Sequence, residues 1–336
     1  MTKAISKRDK ATASDVAAKA GVSKWTVSRA FTPGASISDK ARERVLAVAK
    51  ELDYRPNLLA RSLSKKRTCI IGVVMDELKN PHSMMMLDEV TRQLQARGYM
   101  ALMLNITGEN YRSVMSLADQ LQVDGILFLA TALTKELIAI AEDMHHVPLV
   151  QVCRNTVGKD LDVVTINGYQ AGRVMARLLV QQGHQRFGYM QGPSSAEGFV
   201  QRKEGFADEL QAQGFSLDTV LSADHYDRQL GYRAMQNYLV ATPASERIDA
   251  LFCENDILAL GALEAQRETA PPTRIAVVGF DDIDEAAAPG WQLTTYNQRL
   301  DKLMAEAINR LIDHQTAADN AWQQGELRIR RSHLKP

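Results

Sequence analysis

Thr12-Ala-Ser-Asp15-Val16-Ala17-Ala-Lys-Ala20-Gly21-Val-Ser23-Lys24-Trp25-Thr26-Val27-Ser28-Arg29 is the stretch from which the rest of the chain can be read. Thr12 can cap a helix start, and Asp15, three residues on, can answer it as the second half of a capping box. Val16, Ala17 and Ala20 recur at helical spacing and form a small apolar face. Gly21 supplies the left-handed residue that ends the helix. Ser23 caps a second short helix that carries Lys24, Trp25, Thr26, Ser28 and Arg29, with Val27 turned inward. Two short helices, a tight glycine turn and a donor-rich second helix describe a helix-turn-helix that reads DNA. An ordinary helical hairpin is the plainer alternative, but cap, glycine and donor positions all agree with the first reading.

Outward from this stretch, charge segregates. The 336 residues are formally neutral. Residues 1–67, however, hold 9 Lys and 7 Arg against 4 Asp and 2 Glu, and the remainder holds 24 basic against 34 acidic residues. A basic head on an acidic body is the electrostatic footprint of a polyanion binder. The length predicts two or three domains, and 45% apolar with 24% charged residues is a globular composition. No apolar run reaches the roughly 18 residues of a membrane span. Residues 1–10 lack the apolar core of a secretory signal, so a cytoplasmic location is expected. Cys69, Cys153 and Cys253 stand far apart in apolar runs, and all three read as buried core residues, not as a disulfide or metal set.

Residues 1–11 are polar and read as disordered until bound. A third helix is expected over 39–52, capped by Ser38, with Val45, Leu46, Val48, Ala49 and Leu52 in its apolar stripe. Pro56 suits the first turn of a further helix over 56–64, too short to stand alone in water. From Cys69 onward short apolar strands alternate with amphipathic helices. Strands are expected at 69–75, 99–105, 125–129, 148–152, 163–166, 187–190, 220–222, 250–253, 275–279 and 326–331. Helices fit at 83–97, 111–121, 134–145, 169–182, 199–213, 228–240, 256–267 and 299–314. The pattern is α/β, parallel sheets covered on both faces, with too many strands for one sheet. Two Rossmann-like lobes follow, with ligands beyond the carboxyl ends of the strands, in the cleft between them.

The chain resembles the lactose-repressor/galactose-repressor family of bacterial transcription regulators from Thr12 to its end. The resemblance rests on Asp15-Val16-Ala17, Ala20-Gly21-Val22-Ser23, Thr26-Val27-Ser28-Arg29 and Tyr54-Arg55-Pro56-Asn57 in the head. In the body it rests on Gly183-His184, Gly192-Pro193, Arg202 with Gly205-Phe206, Asn255-Asp256 with Ala259-Leu260-Gly261-Ala262, Val278-Gly279-Phe280-Asp281-Asp282 and Leu293-Thr294-Thr295. It implies a head at 1–67 with a hinge helix at about 56–64, and a body at 68–336 of periplasmic-binding-protein type. Within the body it implies an N-lobe of about 68–166 and 297–318 and a C-lobe of about 167–294 and 320–336. It further implies a homodimer on a palindromic double-stranded operator. Lys24 and Trp25 would distinguish operators, Thr26, Ser28 and Arg29 would contact phosphates and bases, and Leu63 would wedge into the minor groove. Thr12, Ser23, Tyr54, Asn57 and Ala60 complete the implied DNA-binding set. Trp25 is unusual there, and a packing role on the helix shoulder is its alternative.

The resemblance also implies a sugar-like effector, no cofactor and no metal. Arg202 would grip a ligand oxygen, Asp281 would accept from hydroxyls, Asn255 would add an amide and Tyr226 a flat ring. Asp281-Asp282 could instead simply turn the chain, and Tyr226 could simply pack. Where the family often has Asn-Pro-Phe-Phe, this chain has Asn80-Pro81-His82-Ser83, and Cys153 precedes Arg154 where Asp or Asn is common. These changes make a standard hexose less secure and leave a smaller or anionic ligand, such as a sugar acid or sugar phosphate, open. His82 and Arg202 would both suit an anion, and Ser83 and Arg154 complete the implied site. The expected role is repression of a carbohydrate-utilisation operon. No dinucleotide, P-loop, nucleophile-elbow or zinc-protease motif argues for an enzyme. A periplasmic sugar-binding protein would need a signal peptide in place of the basic head. No leucine heptads follow the last strand, so a dimer is expected.

Overall fold

The computed structural model describes residues 11–32, 34–56, 67–107, 111–129, 135–144, 147–153, 155–156, 162–193, 198–269 and 274–335. The expected hinge helix with Asn57, Ala60 and Leu63, the polar residues 1–10 and Arg154 lie outside the described residues. The chain divides into two compact units, Met1–Thr68 and Cys69–Pro336.

The first unit is a three-helix bundle: α1 (Ala13–Ala20), α2 (Lys24–Ala30) and α3 (Asp39–Glu51). Thr12 and Asp15 form the complete capping box, and Gly21 ends α1 with φ 62°. Ser23 caps α2 and Ser38 caps α3 through their side chains. Val16, Ala17, Ala20, Val27, Ala30, Val45 and Ala49 close a core of mostly small side chains. Small side chains let three short helices approach closely, and helices of seven or eight residues depend on that packing for stability.

The second unit is built on two parallel sheets. The N-lobe sheet is ordered β2-β1-β3-β4-β6, from β1 (Ile70–Met75), β2 (Met100–Asn105), β3 (Gly125–Phe128), β4 (Leu149–Val152) and β6 (Asp162–Val164). The C-lobe sheet is ordered β11-β10-β7-β9, from β7 (Phe187–Gln191), β9 (Leu217–Ser222), β10 (Ala250–Cys253) and β11 (Ala276–Val278). Helices α4 (Pro81–Ala96), α5 (Tyr111–Gln120), α6 (Lys135–Glu142), α7 (Gly168–Gln181), α8 (Arg202–Ala212), α9 (Arg228–Ala241) and α10 (Asp256–Glu268) fill the intervals. Apolar strands such as Gly125–Phe128 and Ala250–Cys253 are buried throughout, as a sheet covered on both faces requires.

Differences from the sequence reading have local causes. Two antiparallel pairs differ from the expectation: β5 (Asn155–Thr156) with β8 (Gly198–Phe199) was not anticipated, and the strand expected over 326–331 is β13 (Glu326–Arg328), paired with an unanticipated β12 (Thr295–Asn297). Because Gly198–Phe199 is extended and Gln201 is left-handed (φ 56°), α8 begins at Arg202 and not at 199. The helix expected over 299–314 is α11 (Leu300–Ile308), continued by a π-wound turn at Asn309–Asp313. Of the cysteines only Cys253 is buried; Cys69 is exposed and Cys153 half-buried. Each flanks a strand end with positive φ (56° and 71°), so Cys69 turns out to solvent while Cys153 leaves the sheet but still packs against the core. Among the described residues no helix is long and apolar enough to cross a membrane.

Candidate functional site

On the head, α2 presents Lys24, Trp25 and Ser28 as exposed side chains, with Thr26 and Arg29 half-buried. Trp25 is 66% exposed, so it does not pack on the helix shoulder. The Arg29 guanidinium lies 4.2 Å from its ring centre. Thr12 and Ser23 are exposed but engaged: Asp15 N donates to Thr12 Oγ1 (3.3 Å) and Thr26 N to Ser23 Oγ (3.1 Å). The Thr12 donors hold the Asp15 carboxyl below its ordinary range. Tyr54 meets Phe31 edge to face at 5.7 Å, and partial burial pushes its hydroxyl pKa up. Tyr54 therefore closes the rim of the head's core.

In the second unit a small cavity of about 50 Å³ lies at the carboxyl ends of both sheets. Its N-lobe wall starts at α4. Asn80 Oδ1 accepts His82 N (3.1 Å) as the N-cap and Pro81 occupies the first turn, so His82 and Ser83 sit at the helix start, both buried. Met86, Leu129, Val152 and Cys153 line the same wall. The C-lobe wall consists of Arg202, Tyr226, Asn255 and Asp281. Thus six of the seven effector residues read from the sequence converge on one cavity, and the seventh, Arg154, follows the lining residue Cys153.

Packing fixes these side chains. Helix α7 lies so close to α8 that a Cβ on Gly172 would stand 2.1 Å from the Arg202 carbonyl oxygen, and one on Gly205 1.9 Å from that of Tyr169. Arg202 Nη1 donates to the Glu254 carbonyl, and the guanidinium stacks 3.4 Å over Phe280. Its Nε has no partner among the described residues, and the residue is 6% exposed. Asn255 caps α10 by accepting Leu258 N (3.1 Å) at Oδ1. Tyr226 lines the cavity while its hydroxyl donates to the Glu254 carboxylate, which also accepts from Tyr189 (3.2 Å). Packing and cavity-lining are therefore both true of Tyr226.

Asp281 and Asp282 do turn the chain, with φ of 115° and 58°, conformations that cost about 1–3 kcal/mol each in L-residues. Surrounding bonds hold them. Asp256 Oδ2 accepts Ile283 N (3.0 Å) and its Oδ1 accepts Thr295 Oγ1 (2.6 Å), while Asp282 accepts from Asn297 (2.9 Å) and Arg330 (2.6 Å). Burial, with Asp281 nearby, pushes the Asp256 carboxyl well above its usual range. Gln298 Nε2 donates to Asp281 Oδ1 (2.7 Å), and His82 Nε2 stands 3.7 Å from the same oxygen. Burial lowers the His82 pKa against the pull of Asp281, and Arg202 lowers it further, so the imidazole is neutral at pH 7. Gln298 Oε1 is buried without a partner among the described residues.

Residues 12–57 match the family model described as bacterial regulatory proteins, lacI family. Residues 68–320 match the model for periplasmic binding proteins and the sugar-binding domain of the LacI family. The chain belongs to the lacI family. The HTH-type transcriptional repressor PurR of Edwardsiella ictaluri is 31% identical over 313 residues, 91% of either chain. The lac repressor dimer bound to operator and the anti-inducer ONPF shares the fold, with TM-score 0.81 at 24% identity over 97% of this chain and 100% of that one. A CelR–cellobiose complex superposes with TM-score 0.68 at 26% identity, over 96% and 99%. This lacI-family chain is accordingly a DNA-binding transcriptional regulator with a ligand-binding body, and not an enzyme.

Gln298, which lines the cavity, and Glu254, which holds Arg202 and Tyr226 behind it, escaped the sequence reading. Gln298 directly follows β12, more than 200 positions from His82, and nothing local marks it. Glu254 directly precedes the Asn255-Asp256 motif, which is the one signal that could have drawn attention to it.

Proposed function

We propose that this lacI-family chain is a cytoplasmic repressor of a carbohydrate-utilisation operon. It acts as a homodimer whose heads (1–67, with the hinge at about 56–64) grip a palindromic operator. Its body (68–336) holds a sugar-like effector between an N-lobe of about 68–166 and 297–318 and a C-lobe of about 167–294 and 320–336. Thr12, Ser23, Lys24, Trp25, Thr26, Ser28, Arg29, Tyr54, Asn57, Ala60 and Leu63 are assigned to DNA. His82, Ser83, Arg154, Arg202, Tyr226, Asn255 and Asp281 are assigned to the effector, joined by Gln298.

The observation that carries the effector reading is a pair of buried polar atoms, on two residues that line the cavity with Asp281, that find no partner among the described residues. Arg202 Nε offers a donor and Gln298 Oε1 an acceptor, and a buried polar atom left unsatisfied costs about 1–3 kcal/mol. A ring with vicinal hydroxyls supplies both complements at once, and Asp281 accepts further hydroxyl protons. The charges favour a neutral sugar over a sugar acid or phosphate. Arg202 is tied to Glu254 and Phe280, His82 is neutral, and an acidic side chain, Asp281, lines the cavity. The cellobiose named in the structure of the CelR relative supports the class, and the name of the PurR relative supports repression.

Dimerisation is supported by exposed apolar side chains on edge elements. Met100 and Met103 lie on β2, the N-lobe edge strand, with Leu117 on α5 beside it, and Val220 lies on the C-lobe edge strand β9. Edges of this kind invite a second chain.

Calorimetric titration of the full chain with pentoses, hexoses, sugar acids and sugar phosphates tests the effector class. A neutral sugar should bind in the micromolar range or tighter. Binding of sugar acids or phosphates alone would overturn the charge argument, and no binding by any of them would overturn the sugar class.

A further inference from the structure

The least expected side chain on the head is Trp25. An indole two-thirds exposed on a seven-residue helix contributes little to the core, yet it is held in a defined arrangement. Arg29, one turn later, lays its guanidinium over the ring at 4.2 Å, and its Nε donates to the Ser36 carbonyl (2.8 Å). That carbonyl is itself fixed. Arg42 reaches from α3 and donates through Nη1 to Ala30 O (2.9 Å) and through Nη2 to Ala35 O (3.0 Å), bracing the loop that carries Ser36.

Arg29 is therefore constrained on one face by the indole and on its Nε side by Ser36. Its two terminal nitrogens have no hydrogen-bond partner among the described residues. Those two nitrogens are the fork that meets O6 and N7 of guanine in a bidentate contact. An arginine with a fixed plane reads one base edge, whereas a free one can also settle on phosphates, which carry no sequence information.

We propose that Trp25 is a positioning residue: its stacking fixes the plane of Arg29 so that the guanidinium fork discriminates guanine at one base pair of each half-site. The inference rests on the operator-binding reading. Trp25 acts through Arg29, so its loss relaxes the choice of base that Arg29 makes and leaves the phosphate-driven part of binding in place.

Selection by the full-length protein from a library of duplexes with randomised palindromic half-sites tests this. Arg29→Ala identifies the base pair at which guanine preference disappears. Trp25→Ala should relax preference at that same pair by about two- to fivefold, the range expected for an exposed cation–π contact. The preference is read as the ratio of affinity for the guanine-containing site to that for the site substituted at that pair, so that a general loss of affinity cancels, and Trp25→Phe should restore part of it. The thermal midpoint of Trp25→Ala should match the parent, since the indole is mostly exposed. Intact guanine preference in Trp25→Ala, or relaxation at a different base pair, overturns the stacking role while leaving operator binding standing. A parent protein that selects no sequence at all overturns the operator-binding reading itself.

Discussion

At the residue scale the cleft is defined by what each polar atom lacks or holds. Arg202, Asn255 and Asp281 are legible in the sequence because each sits in a motif that the resemblance marks, and for Asn255 and Asp281 the motif also specifies the local backbone, an N-cap and a turn after a strand. What was not legible is how they are engaged. The Arg202 fork reads as an anion clamp until its Nη1 is seen on the Glu254 carbonyl and its face on Phe280. Those partners lie over 50 residues away and become neighbours only through the fold. His82 offers a pH test. Burial lowers its pKa from the ordinary 6.5, opposed by Asp281 and assisted by Arg202. A histidine kept neutral in the folded state binds its proton more readily when unfolded, so its contribution to stability is present above pH 6.5 and is lost as pH falls below it. The parent should lose thermal midpoint between about pH 6.5 and 5, and His82→Gln should lose less over that window. His333, lowered in the same way by burial and by His184, supplies a background common to both proteins. Equal slopes would remove His82 from the account.

At the element scale, glycines set how closely helices approach, and that approach aims Arg202. Helices α7 and α8 meet at Gly168, Gly172 and Gly205, where a Cβ would fall within about 2.1 Å of a facing carbonyl. Backbone cannot rotate away as a side chain can, so the helices must separate. Gly205→Ala should destabilise the protein by about 3 kcal/mol or more, at the upper end of overpacking penalties. It should also weaken effector binding by displacing Arg202. Denaturant unfolding read alongside calorimetry checks both, and a variant of parental stability would show that the helix pair has slack. Alternation of apolar strands and amphipathic helices was enough to place nearly every such element. The exceptions are short segments whose structure depends on a distant partner. Thr295–Asn297 is a strand only because Glu326–Arg328 pairs with it, and two or three residues carry no periodicity of their own. Cys69 and Cys153 misled for a related reason, since membership of an apolar run does not reveal a positive φ that ends the strand.

At the scale of the whole molecule, a basic head and an acidic body serve different ligands, and the function lies in coupling them. In the proposed dimer, the exposed Met100, Met103 and Leu117 on and beside the N-lobe edge strand form the pairing face. Met103→Glu combined with Leu117→Glu should shift sedimentation from dimer to monomer and weaken operator binding at least tenfold, because each head alone engages one half-site. A dimer that persists would move the interface elsewhere. Operator binding through several phosphates should also fall steeply with salt. An effector changes operator affinity only if it prefers one conformation of the lobes, and the size of the change is bounded by that preference. The most direct measurement is fluorescence anisotropy on the operator duplex selected by the full chain, titrated with and without the neutral sugar that binds best by calorimetry. The sugar should change the operator affinity of the parent at least fivefold, and the same concentration should leave Asp281→Asn unchanged. Identical operator affinity of the parent with and without a sugar bound to its cleft would contradict the account.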